Sequence, residues 1–160
     1  QNLQFLTTKK SVASSGNIYF DSILNYKAEI AERDGIVFRL ELDVPHDCIV
    51  DGEEISICLG NLLDNAIEAT KEVDKGNRRI SVRIKVQSHN LYLEIRNPYH
   101  SSRNKKGDNY MTTKSDVHLH GWGLQIIRDI VERHNGELEI SDRDNEFCIK
   151  VLLYQAVEYE

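Results

Sequence analysis

Two stretches in the middle of the chain alternate strictly between apolar and polar residues. Ile80, Val82, Ile84 and Val86 alternate with Ser81, Arg83 and Lys85; after Gln87-Ser88-His89-Asn90, Leu91, Leu93 and Ile95 alternate with Tyr92, Glu94 and Arg96. Successive side chains of a strand point to opposite faces, so each run carries one apolar and one polar face. The short polar turn between them makes the two runs an antiparallel pair. Such a sheet is covered by helices on one side and wetted on the other.

The remaining pattern supplies the cover. From Tyr19 to Arg33, Phe20, Ile23, Leu24, Ala28 and Ile30/Ala31 recur at helical spacing, and Asp34-Gly35 stops the helix. Val37 to Val44 alternates again, with Phe38, Leu40, Leu42 and Val44 on one face and Pro45 as its end. A second helix is predicted over Glu53 to Val73, and a third begins near Gly123 and ends at Asn135-Gly136. Two last strands follow, Glu137-Leu-Glu-Ile-Ser141 and Phe147 to Leu153. About five strands and three helices predict a two-layer α/β sandwich with a mainly antiparallel, mixed sheet and helices on one face. Residues 1–17 are polar and read as a linker or the tail of a removed segment, 18–155 as one domain, and 156–160 as a C-terminal tail. Residues 98–119 show no period; an unpatterned loop of about 20 residues is commonly a lid or binding loop.

A chain of 160 residues needs no staples, because one of this size buries roughly 70% of its unfolded surface. The formal net charge of -6 argues against a nucleic-acid or anionic-membrane surface. Cys48, Cys58 and Cys148 form no CxxC pair and read as reduced thiols of a cytoplasmic protein. No apolar run approaches the roughly 18 residues of a membrane span.

The predicted second helix holds the stretch Gly60-Asn-Leu-Leu-Asp-Asn-Ala-Ile-Glu-Ala69. At about 100° per residue, Ile55, Leu59, Leu62, Leu63, Ala66 and Ile67 gather on one side, and Asn61, Asn65 and Glu68 on the other. Any amphipathic helix has a polar face. Asn, however, costs roughly 0.6 kcal/mol against Ala inside a helix, and this face carries two. Amide oxygens are hard, neutral ligands, and a Mg²⁺ already held by phosphate oxygens and waters needs only one or two more oxygens.

A phosphate-binding element is available in His120-Gly121-Trp122-Gly123-Leu124, where a loop enters a helix. Free N–H groups at a helix start favour anions, and glycines allow close approach. Thr112, Thr113 and Lys114 add hydroxyls and a positive charge. A plain glycine turn before a buried helix fits the same residues. Asn97 continues the phase of Leu91, Leu93 and Ile95, so an amide ends an apolar face. Its partner is backbone, a cap on the turn made with Pro98, or a ligand. His118 and His120 lack the further ligands a zinc site needs.

Taken together, asparagine helix, strand ending in a polar residue, long loop, glycine turn and helix resemble the GHKL (Bergerat) ATP-binding fold of gyrase, MutL and the histidine kinases. Leu59-Gly-Asn-Leu-Leu-Asp-Asn-Ala-Ile-Glu-Ala69 looks like its N box, and His120-Gly-Trp-Gly-Leu124 like its second glycine box. The likeness is nearest to the AgrC-like quorum-sensing sensor kinases and covers roughly residues 15–153. It implies the catalytic domain of a two-component sensor histidine kinase that binds ATP with Mg²⁺. Asn65 would coordinate the Mg²⁺, with Asn61 supporting phosphates or water. Glu68 and Asp64 would line the site, with Asp64 toward its edge. Gly121, Gly123 and Leu124 would present the glycine box, with Lys114 and His120 nearby, and residues 99–119 would form the lid.

The same resemblance implies a phosphoacceptor His on an upstream dimerisation hairpin outside this sequence. It further implies a response-regulator partner and a cytoplasmic location below a membrane-anchored receptor. There are departures. Many members carry an Asp-x-Gly-x-Gly box whose Asp accepts a bond from adenine; here Asn97 stands in that place, without the glycines. Gyrase-type members carry a catalytic Glu where Asn61 stands, so direct water activation loses support and phosphotransfer gains it. Alternatives are a degenerate domain that only binds nucleotide or a partner, and a free-standing kinase acting on Ser.

Overall fold

The computed structural model describes residues 11–99 and 122–160. Its elements in chain order are α1 (Ile18–Arg33), β1 (Val37–Asp43), β2 (Cys48–Ile49), α2 (Gly52–Thr70), β3 (Arg79–Gln87), β4 (Asn90–Pro98), α3 (Trp122–Arg133), β5 (Glu137–Arg143), β6 (Glu146–Leu153) and β7 (Glu158–Tyr159). The main sheet has the order β1-β3-β4-β6-β5. β1 runs parallel to β3, and every other pair is antiparallel. The parallel pair requires a crossover, and α2 supplies it. The expected mixed two-layer sandwich is therefore present.

Turn chemistry fixes the register. Gln87 faces Asn90 across the first hairpin, where Ser88 has φ 57°. The second hairpin turns on Asp144 and Asn145, with φ 54° and 62°, a conformation these two residue types tolerate best after glycine. That register puts Val82, Ile84 and Val86 of β3 beside Ile95, Leu93 and Leu91 of β4, and Ile95 and Leu93 beside Ile149 and Val151 of β6, all buried.

The helices start on side-chain caps. Asn17 accepts from the N–H groups of Tyr19 (3.1 Å) and Phe20 (3.3 Å), and Asp51 from that of Glu54 (3.1 Å). α1 then buries Phe20, Leu24 and Ala31, and α2 buries Ile55, Leu59 and Leu63. α1 lies close to α2 because Gly52 leaves room for the Tyr19 ring: a Cβ at Gly52 would stand 2.3 Å from it. α2 ends at Thr70, three residues short of the expected Val73. The Arg78 guanidinium is bonded to the carbonyls of Lys71 (2.7 Å) and Val73 (3.1 Å), and to that of Asp34 (2.9 Å) at the end of α1.

Residues 12–16 and the C-terminal segment are both packed. Asn25 accepts from the N–H groups of Val12 and Ala13, and Asp21 from those of Ser15 and Gly16. Residues 156–160, read from the sequence as a tail, bury Val157 completely and pair β7 with β2. His89 O accepts from Ala156 N and Val157 N, and Tyr159 Oη donates to Ser88 O.

Candidate functional site

Of the two asparagines of α2, Asn61 is half-buried and Asn65 lies away from water. Asn65 is 7% exposed, because the start of α3 covers that side of the helix. Each amide nitrogen bonds back one turn, Asn61 Nδ2 to Ile57 O (2.7 Å) and Asn65 Nδ2 to Asn61 O (2.8 Å). These bonds fix both amides and leave their oxygens for other partners. Asn65 Oδ1 is buried and has no hydrogen-bond partner among the described residues. A buried polar atom in that state costs roughly 1–3 kcal/mol, which is the mark of a site made for something else.

Gly123 meets the same two side chains. A Cβ at Gly123 would stand 3.4 Å from Asn65 Nδ2 and 3.5 Å from Asn61 Oδ1, which is ordinary contact distance. The glycine thus leaves a methyl-sized gap where the first turn of α3, with its unpaired N–H groups, faces the amides. Leu124 is 4% exposed and belongs to the core, so its side chain anchors α3.

Beside Asn65 a narrow crevice of about 10 Å³, room for one water, lies between α2 and the sheet. Ala66 and Ala69 form its helix wall, and Ile95, Ile149 and Phe147 its sheet wall. Small side chains on the helix wall face aliphatic and aromatic ones on the sheet wall, and the two walls would have to part to admit a flat apolar ring. Asn97, 2% exposed, ends the sheet wall. Its Nδ2 donates to Pro98 O (2.9 Å), which identifies the nitrogen side of the amide and leaves Oδ1 as the acceptor. Tyr99 continues the strand, with its N–H on Asn145 O and its ring edge-on to Phe147.

Among the described residues no group of three or more His, Cys, Asp or Glu side chains could hold a metal by itself. A cation here would need oxygens from a ligand in addition to Asn65. The donor set and the gap at Gly123 fit a Mg²⁺ that arrives with phosphate.

A family model described as a GHKL domain matches residues 51–154. The chain belongs to the GHKL domain family. It is 30% identical over 100 residues to the sensor histidine kinase DpiB of Escherichia coli (strain K12), covering 59% of this chain and 18% of that protein. It is 35% identical over 99 residues to the sensor protein TdiS of Thauera aromatica, covering 55% of this chain and 17% of that protein. The chain thus spans less than a fifth of the length of these relatives. Among solved structures, the catalytic domain of histidine kinase ThkA superposes with a TM-score of 0.61 at 22% identity, covering 88% of this chain and 93% of that one. The Acinetobacter baumannii histidine kinase AdeS gives 0.60 at 17% identity, covering 86% and 63%. The fold of this GHKL domain is the one those catalytic domains have.

Of the acidic residues of the GHKL helix, Asp64 is paired with Lys27 of α1 at 2.6 Å, which turns its charge away from Asn65. Glu68, one turn after Asn65, is exposed. Lys114, His120 and Gly121, with Thr112, Thr113 and all but Tyr99 of the expected lid, lie outside the described residues. Sequence patterning missed Phe147 as the wall of the cleft, although its phase with Ile149 pointed there. It also missed Thr70, fully buried, whose Oγ1 has no hydrogen-bond partner among the described residues. Among the described residues no helix is long and apolar enough to cross a membrane.

Proposed function

We propose that this GHKL domain is the ATP-binding catalytic domain of a sensor histidine kinase. It would hold Mg²⁺ and ATP for phosphoryl transfer to a His on a helical hairpin outside this sequence. The observation that carries the reading is Asn65 Oδ1, buried and unpartnered among the described residues, opposite the helix start at Gly123. Asn65 Oδ1 would complete the metal's oxygen set, and Asn61 Oδ1 would hold a phosphate-bound water. The backbone N–H groups of Gly121, Gly123 and Leu124 would face the phosphates, with Lys114, His120 and Glu68 around them. The apolar cleft would take the adenine ring, and Asn97 Oδ1 would accept from its amino group.

The bound nucleotide supplies the transferable phosphoryl group, and its metal ion neutralises the charge that develops on it. The residues of this chain orient those groups and exclude water. The names of the relatives, a sensor histidine kinase and a sensor protein, support a sensor-kinase role; a response regulator would be the downstream partner, and the domain would lie in the cytoplasm below a membrane receptor.

Titration calorimetry with a non-hydrolysable ATP analogue, with and without Mg²⁺, tests the reading. Binding should strengthen with Mg²⁺ in the wild type and lose that response in Asn65→Ala. Addition of a hairpin carrying the acceptor His should then yield phosphohistidine from ATP. Binding without transfer to a competent hairpin would favour a nucleotide-binding regulatory domain. No binding at all would leave a partner-binding role for the fold.

A further inference from the structure

α3 is held at both ends by α2, and the two contacts use opposite ends of the helices. The start of α3 meets Asn61 and Asn65 through Gly123. Its far end meets the first turn of α2 through Glu54. Glu54 Oε2 accepts from Arg133 Nη2 (2.9 Å), and Glu54 Oε1 lies 2.7 Å from His134 Nε2. The other ring nitrogen of His134, Nδ1, lies 3.1 Å from Tyr154 O at the end of β6, so the ring is pinned between α2 and the sheet. The Glu54 carboxylate is only 11% exposed.

Sequence gives Glu54 a different task. Asp51-Gly-Glu-Glu54 is a capping-box pattern, in which the fourth residue reaches back to the first. Asp51 does cap the Glu54 N–H, but the Glu54 carboxylate is turned to α3. Both of its oxygens serve the contact between helices. Eleven residues, about 16 Å of helix, separate it from Asn65. A slide of α3 by one residue would turn Gly123 by about 100° away from the asparagines. The register therefore has to be set elsewhere than at a glycine, which has no side chain to set it.

We infer that Glu54 is a positioning residue for the nucleotide site: through Arg133 and His134 it sets the register in which the first turn of α3 faces Asn61 and Asn65. The inference rests on the function proposed above and names a residue that touches neither ligand. Its effect is confined to the phosphate end, because the apolar cleft is built from α2 and the sheet.

The test compares Glu54→Gln and Arg133→Ala with the wild type and with Leu40→Ala. Leu40→Ala is a destabilising control on β1, at the opposite edge of the sheet from β5. Affinities are measured for the Mg²⁺-loaded non-hydrolysable ATP analogue and for adenosine. Hydrogen exchange of the amides of residues 123–125 is followed without nucleotide. Glu54→Gln should lower the ratio of the two affinities roughly fivefold or more, with adenosine binding held within about twofold. It should also speed exchange at residues 123–125 about tenfold, a change that Leu40→Ala does not share. Arg133→Ala should move both readouts the same way by less. A ratio and an exchange rate in Glu54→Gln equal to those of the control overturn the inference while leaving the proposed function standing. A wild type that binds neither ligand overturns the proposed function and this inference with it.

Discussion

Asn65 and Gly123 face each other across the contact between α2 and α3, with room for one methyl group between them: a Cβ at 123 would stand 3.4 Å from Asn65 Nδ2. The glycine is not there for a backbone conformation that other residues avoid, since it is absent from the positive-φ residues of the chain. It lies in the first turn of α3, where glycine costs up to about 1 kcal/mol against alanine. The empty volume is what the position provides.

Gly123→Ala should therefore separate stability from binding. The methyl group fits at contact distance, and α3 gains up to about 1 kcal/mol of helix propensity. The same methyl occupies the gap at the phosphate end. Thermal unfolding should show an equal or higher Tm, and calorimetry a weaker ATP analogue with adenosine little changed. A loss of Tm together with a general loss of binding would mean that the glycine serves packing alone.

Asn65→Leu carries the same logic to the other side of the gap. The wild-type side chain leaves a buried acceptor unpaired among the described residues, a state that costs roughly 1–3 kcal/mol. Leucine has a similar shape and no oxygen to satisfy. The variant should be as stable as the wild type or more so in urea, and the Mg²⁺ dependence of analogue binding should vanish. A marked drop in the urea midpoint would show that Asn65 supports the fold instead.

What the sequence made legible here was periodic, and what it hid was not. Alternation placed Ile80 to Val86 and Leu91 to Ile95 as a hairpin, and the phase of Asn97 put it at the end of the core face. The helical wheel grouped Asn61 with Asn65 on a polar face, but it carries no information about α3, which arrives about 60 residues later and leaves Asn65 buried. Two-residue strands such as β2 and β7 contain no period at all. The contact of Glu54 with His134 is equally invisible, since the local pattern gives that carboxylate a sufficient task in its own helix.

Arg78 ties the ends of two helices and should be costly to remove. Its guanidinium serves carbonyls of Asp34, Lys71 and Val73, where α1 and α2 leave acceptors without intrahelical donors. Hydrogen bonds to a charged group contribute about 1.5–3 kcal/mol each, but water replaces part of this at a half-exposed site. Arg78→Ala should therefore lose about 2 kcal/mol in urea unfolding, and Arg78→Lys most of that, because one ammonium cannot span three carbonyls. Nucleotide affinity should stay near that of the wild type, since Arg78 lies at the end of α2 away from Asn61. Equal midpoints for Arg78→Ala and the wild type would mean that solvent satisfies these carbonyls as well as the guanidinium does.

The outer face of the sheet predicts how the fold responds to pH. Glu94 accepts from Tyr92 Oη and from Arg96 Nε (2.6 Å), and Arg96 also reaches Glu146. Burial by itself would raise the Glu94 carboxyl, but the bonds from Tyr92 and Arg96 outweigh it and hold the group below the ordinary carboxylate value. A group whose folded value is depressed binds its proton more readily when unfolded. Its stabilisation is complete above the ordinary value, about 4.3, and is lost as pH falls from there through the lower folded value. The Tyr92 hydroxyl moves the other way, raised to about 12 by burial first and then by its bond to Glu94 and the carboxylate's charge. Its share is complete below its ordinary value of about 10 and is lost as pH rises toward the folded value. Urea midpoints measured across both windows should fall at each end. Glu94→Gln should flatten the acid limb, and Tyr92→Phe should flatten the alkaline limb while weakening the acid one, because Glu94 then lacks one of the donors that depress it. Acid limbs of equal slope in the wild type and Glu94→Gln would assign the acid response to other carboxylates.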